Sequence, residues 1–76
     1  MITDISDNRK NIITAIVKSY RNARYLELGV DNGSNINYIA TNTHAKCFGV
    51  DINKPTITDG FKFFNCTTDE FFYSNL

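Results

Sequence analysis

The side chains best suited to chemistry in this 76-residue chain gather between positions 25 and 51. Glu27 precedes a glycine turn, Gly29 and Gly33 bracket that turn, and Asp51 ends a later apolar run. Glycine at such places admits positive φ and lets a ligand approach with no β-carbon in the way. A helix opening after the turn presents unpaired N–H groups and a partial positive charge. A carboxylate at the end of the next strand, at the spacing of Asp51, accepts hydrogen bonds from ribose hydroxyls. The combination reads as a strand, glycine turn, helix, strand and acid unit over residues 25–51 that binds a nucleoside-containing cofactor. Taken singly, the glycines are also what an ordinary turn uses, and Asp51 is also a turn or capping residue ahead of Asn53 and Pro55.

The elements that must position these residues follow from hydrophobic periodicity. Ile12, Ile13, Ile16, Val17 and Tyr20 recur at helical spacing after the capping-type residues of positions 4–7, which predicts an amphipathic helix over 7–22. Arg24 to Gly29 reads as a strand stopped by glycine. Asp31-Asn32-Gly33-Ser34 is turn chemistry in which Ser34 or Asn35 caps a short helix that carries Ile36, Ile39 and Ala40 and ends near Asn42. Ala45 to Asp51 is a second, largely buried strand, Lys54-Pro55 closes it, and Phe61, Phe63 and Phe64 belong to a third. Thr67-Thr68-Asp69-Glu70 is a capping box that starts a helix with Phe71, Phe72 and Leu76. Strands alternating with helices predict an α/β architecture: a three-layer Rossmann-like half-fold with a short parallel sheet of about three strands, order 3-2-1, flanked by helices.

The cofactor class is narrowed by the turn. A dinucleotide fingerprint needs glycine at the first, third and sixth positions, and counting from Gly29 those are Gly29, Asp31 and Ser34. The β-carbons and the charge of Asp31 crowd a pyrophosphate. The run Tyr25-Leu26-Glu27-Leu28-Gly29-Val30-Asp31-Asn32-Gly33-Ser34 instead resembles the first motif of the class I S-adenosylmethionine-dependent methyltransferases. Phe48-Gly49-Val50-Asp51 is similar to their second-strand motif, and Asn65-Cys66-Thr67-Thr68-Asp69-Glu70-Phe71-Phe72 looks like a strand-to-helix segment of small members. The resemblance covers residues 24–72, the front half of that fold, and departs from it at Asp31, where the family frequently has glycine. It implies that Glu27 lies near the methionine end of S-adenosylmethionine and that Gly29 and Gly33 let the backbone pass the methionine and ribose. It further implies that Asp51 binds the ribose hydroxyls, Ile52 packs on the adenine and Thr67, or Thr68 beside it, makes a polar adenine contact. A sulfonium cation without phosphates suits two carboxylates.

The same resemblance implies methyl transfer to an acceptor that the chain does not identify, with residues 1–76 forming one truncated cofactor-binding domain: helix 7–22, cofactor unit 25–51, third strand and helix start 61–76. A complete family core has about seven strands, so an isolated 76-residue chain is expected to be incomplete for catalysis, and no catalytic residue is assigned. The first strand is left as an apolar edge, which predicts self-association or a partner chain that completes the sheet. A non-catalytic α/β interaction or decoy module, or a nucleotide-binding fragment of another Rossmann-like enzyme, is the alternative. Zero formal net charge without a basic run disfavours a dedicated nucleic-acid module. No apolar run reaches membrane-spanning length, and the chain reads as cytoplasmic. Cys47 and Cys66 read as reduced thiols. His44, Cys47, Cys66 and Asp51 lack the paired spacing of a zinc site, and no metal is expected.

Overall fold

The computed structural model describes the backbone of residues 5–75 and the side chains of residues 9–74. Its elements in chain order are α1 (Ile5–Lys18), β1 (Arg24–Leu28), α2 (Ser34–Asn42), β2 (Lys46–Asp51), β3 (Lys62–Asn65) and α3 (Thr68–Asn75). The three strands form one parallel sheet in the order β1-β2-β3, with β2 central. The fold is therefore α/β, with three parallel strands in one open sheet and three helices, as the alternation of strand and helix patterns predicts.

The register fixes which side chains share a face. Leu26 lies beside Phe48 and Leu28 beside Val50, which in turn lies beside Phe64; Tyr25 lies beside Cys47 and Glu27 beside Gly49. Because strand side chains alternate, the Cys47 face and the Val50 face are opposite. Val30, Ile36, Ile39 and Cys47 form the buried cluster on the first face, closed by Ile13, Val17, Tyr25 and Phe61. On the second face α3 docks through Phe71, whose ring meets that of Phe64 edge-on at 5.0 Å. Helices α1 and α2 thus cover one face and α3 the other, the three-layer arrangement.

Three details of α1 differ from the periodicity reading. Helix α1 runs from Ile5 rather than from position 7, so Ser6 lies inside it, while Asp4 lies outside the described residues. It ends at Lys18 rather than near position 22, where Asn22 adopts a left-handed φ of 56° that turns the chain into β1. Its packed stripe is also rotated: Ile13, Thr14 and Val17 face the core, while Ile12, Ile16 and Tyr20 are exposed. Two apolar i, i+4 rows run down this helix, and only the one continuous with α2 has a surface to meet. Leu76, expected on the apolar face of α3, lies outside the described residues.

The connection from β2 to β3 also departs from common practice. Parallel strands are usually joined through a helix; here residues 52–61 form a loop instead. The loop returns along the α2 side. The Ile57 N–H donates to the Asn32 carbonyl at 2.9 Å, the Asn37 side-chain amide donates to the Asp59 carbonyl at 3.0 Å, and Pro55 is buried. This strap lies directly on the turn that precedes α2.

Candidate functional site

The carboxyl ends of parallel strands are where open α/β sheets bind ligands. At that edge β1 ends in Leu28, and the Gly29 N–H donates to the Val50 carbonyl at 2.8 Å, extending the ladder by one bond. Gly29 then turns with φ +82°, Asp31 follows with φ +59°, and Gly33 with φ +91°. These three left-handed residues fold the loop into a tight arch, closed by the Gly33 N–H on the Val30 carbonyl at 3.1 Å.

The two glycines do different work. A β-carbon placed on Gly29 would meet nothing within 4 Å, so the backbone there faces open space. A β-carbon on Gly33 would overlap the Ile57 carbonyl oxygen, with the Ile57 carbonyl carbon at 3.1 Å. Gly33 is buried under the β2–β3 strap and packs against it, whereas Gly29 is the turn glycine that faces open space.

Around Gly29 lies a cavity of about 380 Å³ lined by Arg9, Tyr25, Glu27, Asp31 and Asn35, together with apolar neighbours that include Ile13 and Val30. This is within the usual size of small-molecule sites, about 300–1,000 Å³. Glu27 is the central polar group. Its Oε1 accepts the Tyr25 hydroxyl proton at 2.8 Å. Burial pushes the Glu27 carboxyl above its ordinary value, with the Tyr25 hydrogen bond and the nearby Arg9 guanidinium pulling it back down. Burial, and then the hydrogen bond to Glu27, push the Tyr25 phenol well up. Burial, with Glu27 nearby, also raises the Cys47 thiol, which is buried and unoxidised.

Asp51 does not line this cavity but braces the arch from the β2 side. Its Oδ2 accepts the N–H groups of Val30 at 2.9 Å and Asp31 at 3.1 Å, and its Oδ1 accepts that of Asn53 at 2.9 Å. These donors, the Asn53 N–H first and the Asp31 N–H next, hold the carboxyl below its ordinary value. The Val30 and Ile52 N–H groups add to the same effect, so the carboxylate's about four acceptor positions are largely committed to the backbone. Strand geometry puts the Glu27 and Asp51 α-carbons roughly 8 Å apart on the same face.

The remaining predicted residues sit farther along the edge. Ile52 is 63% exposed just past β2, and its backbone is held from β3: the Asn65 side-chain amide donates to the Ile52 carbonyl at 2.8 Å and the Asp51 carbonyl at 3.2 Å. Thr67 opens α3 in a reciprocal capping box. Its N–H donates to Glu70 Oε1 at 3.0 Å, and its hydroxyl oxygen accepts the Glu70 N–H at 3.1 Å. The Thr67 N–H is the main cause holding the Glu70 carboxyl below its ordinary value. The Thr67 hydroxyl is thus committed to the helix start.

The start of α2 is likewise self-contained. Its N-cap is Gly33, not Ser34 or Asn35, and no side chain caps from that position. Instead the Asn32 Oδ1 accepts the Ser34 N–H at 2.9 Å. A side-chain oxygen therefore occupies the place where a phosphate would sit on a helix N-terminus.

The structure thus brings Glu27 and Gly29 into one cavity, sets Asp51 and Ile52 beside it and directs Gly33 and Thr67 to internal contacts. Sequence reasoning passed over Arg9, Tyr25 and Asn65. Arg9 lies four residues before Ile13, on the packed row of α1, and Tyr25 lies two residues before Glu27, on the same strand face; those spacings are the available signal. Among the described residues no three His, Cys, Asp or Glu side chains group to hold a metal, and no helix is long and apolar enough to cross a membrane. Comparison with protein-family models, curated proteins and solved structures finds no match to this chain.

Proposed function

We propose that the chain is the cofactor-binding portion of a cytoplasmic S-adenosylmethionine-dependent methyltransferase. The observation that carries this reading is the open Gly29 beside the desolvated Glu27 carboxylate, in a cavity at the carboxyl edge of β1. Two carboxylates, Glu27 and Asp31, face one guanidinium, Arg9, so the lining favours a cation such as the methionine ammonium or sulfonium. The occupied start of α2 and the carboxylate of Asp31 disfavour a pyrophosphate, which supports this cofactor over a dinucleotide. Ribose hydroxyls at Asp51 take acceptor positions in place of backbone N–H groups that the carboxylate now holds. Ile52, apolar and exposed past that carboxylate, offers a flat contact for adenine. The methyl acceptor has no assigned group here.

Calorimetric titration of the 76-residue chain with S-adenosylmethionine and S-adenosylhomocysteine tests the reading. Both should bind, Glu27→Gln should weaken S-adenosylmethionine at least tenfold, and Asp51→Ala should abolish binding. Preference for NAD or ATP would refute it.

A non-catalytic interaction module is favoured by a separate observation. Among the described residues β1 pairs on one side alone, and its Leu26 and Leu28 are 39% and 45% exposed. Such an edge recruits another strand. On this reading the chain sediments above monomer mass, Leu26→Lys restores the monomer, and no nucleoside cofactor binds.

A further inference from the structure

The opposite edge of the sheet, where the strands begin, carries a second polar concavity. Two adjoining cavities of about 350 and 260 Å³ share Asn22, Ala23 and His44. Lys18, at the end of α1, lines the larger; Arg24 and Lys46, the first residues of β1 and β2, line the smaller. Among the described residues no Asp or Glu lines either one. The chain is neutral in total, yet Glu27 and Asp51 lie toward the other edge, roughly 10 Å from Arg24 along β1 and roughly 16 Å from Lys46 along β2 at about 3.3 Å per residue, with Asp31 beyond the end of β1.

The register makes this clustering costly. Arg24 and Lys46 are direct cross-strand partners, so their side chains leave the sheet side by side on one face. Like charges placed opposite one another in a sheet destabilise it. The third strand also begins with a cation, Lys62, but that ammonium lies 5.3 Å over the Phe64 ring. Arg24 and Lys46 have no carboxylate partner among the described residues; His44 lines both cavities and joins the pair to Lys18, at the end of α1, which lines only the larger. Asn22, held in left-handed backbone at φ 56°, lines both cavities. A bound anion converts the repulsion into mutual attraction. A planar guanidinium beside an ammonium and neutral amide donors is the donor set that grips a tetrahedral oxyanion.

We infer that this edge is a phosphate-binding site, formed by Arg24, Lys46, His44, Lys18 and Asn22, for a multiply charged phosphate group. The group has two sources, a small phosphorylated ligand or the backbone of an RNA strand. The site is independent of the cofactor reading, because it shares no residue with the Glu27 cavity.

The test is an ¹H–¹⁵N NMR titration of the whole chain with sodium pyrophosphate, alongside sodium chloride at matched ionic strength, and separately with a short oligouridylate. Pyrophosphate should give saturable shifts confined to residues 18–24 and 43–46. The double variant Arg24→Gln with Lys46→Gln should bind at least tenfold more weakly. Pyrophosphate should also raise the melting temperature of the parent and not that of the variant. If that variant fails to fold, Lys18→Gln with His44→Gln probes the strip from the helix side, with a loss of at least threefold expected. Tighter binding of oligouridylate, falling steeply with salt, would assign the strand backbone as the source; pyrophosphate binding alone would assign the small ligand. Shifts no larger than those from chloride, or unchanged affinity in the folded variants, would overturn the site.

Discussion

Replacing each turn glycine by alanine separates a ligand-facing glycine from a packing one. Both positions hold left-handed backbone, φ +82° at Gly29 and +91° at Gly33, so alanine at either incurs the β-carbon penalty of that region, about 1–2 kcal/mol. At Gly29 nothing further is added, because the new β-carbon points into open space. At Gly33 it overlaps the Ile57 carbonyl, so the strap must lift. Lifting it stretches the 2.9 Å bond from the Ile57 N–H to Asn32, worth about 1 kcal/mol, and disturbs the packing of a buried segment, a further cost of about 1 kcal/mol or more. Gly33→Ala should therefore cost about 3–4 kcal/mol, against about 1–2 for Gly29→Ala. For a domain of this length the whole stability is about 4–11 kcal/mol, so the first change removes a large share of it and the second does not.

Urea unfolding followed by circular dichroism measures the difference. With a slope of about 1 kcal/mol per molar, the midpoint should fall by about 3 M for Gly33→Ala and by about half that or less for Gly29→Ala. Cofactor titration should give the reverse order once only folded protein is counted, with Gly29→Ala weakening S-adenosylhomocysteine because its methyl enters the cavity beside Glu27. Equal destabilisation by the two substitutions would refute the packing role of Gly33, and unaltered affinity in Gly29→Ala would refute the ligand-facing role of Gly29.

Asp51 predicts a pH dependence of defined sign. Its carboxyl is held below the ordinary value by backbone N–H groups, those of Asn53 and Asp31 first, so its contribution is complete above the unfolded value of about 4 and is lost as pH falls through the lowered folded value. The stability of the parent chain should fall more steeply below pH 4 than that of Asp51→Asn, and parallel curves would contradict this. Thr14 is buried in α1 with its hydroxyl unpartnered among the described residues. Thr14→Val removes that penalty at constant shape and should stabilise by about 1 kcal/mol, raising the melting temperature by about 4–8 °C; a lower melting temperature would show that the hydroxyl finds a partner.

Elements whose chemistry is local were legible in the chain. The Thr67–Glu70 capping box appears as a reciprocal pair of hydrogen bonds because both of its partners lie within four residues. The strands and their parallel order followed from alternating patterns and short connections. What escaped the sequence depends on distant partners. The choice between the two apolar rows of α1 is made by α2, and the burial of Gly33 by Ile57, a residue 24 positions on. The segregation of charge between the two sheet edges is also invisible in a chain whose net charge is zero. It emerges only when the parallel register sets Arg24 beside Lys46 at one end and the carboxylates at the other.

Asp51 shows how one position can carry two meanings. The end of β2 faces the β1–α2 arch in any parallel sheet, so an acid there can hold the arch, hold a ribose, or do both through different lone pairs. Here three of its acceptor positions already hold backbone N–H groups. Loss of cofactor in Asp51→Ala would therefore combine a lost ribose contact with a loosened arch. Asp51→Glu separates them. Its longer side chain still carries two oxygens to a ribose but no longer fits the short reach to Val30 and Asp31, so a variant that unfolds earlier yet binds would assign the ribose role. A variant that loses binding and stability in proportion would assign the brace.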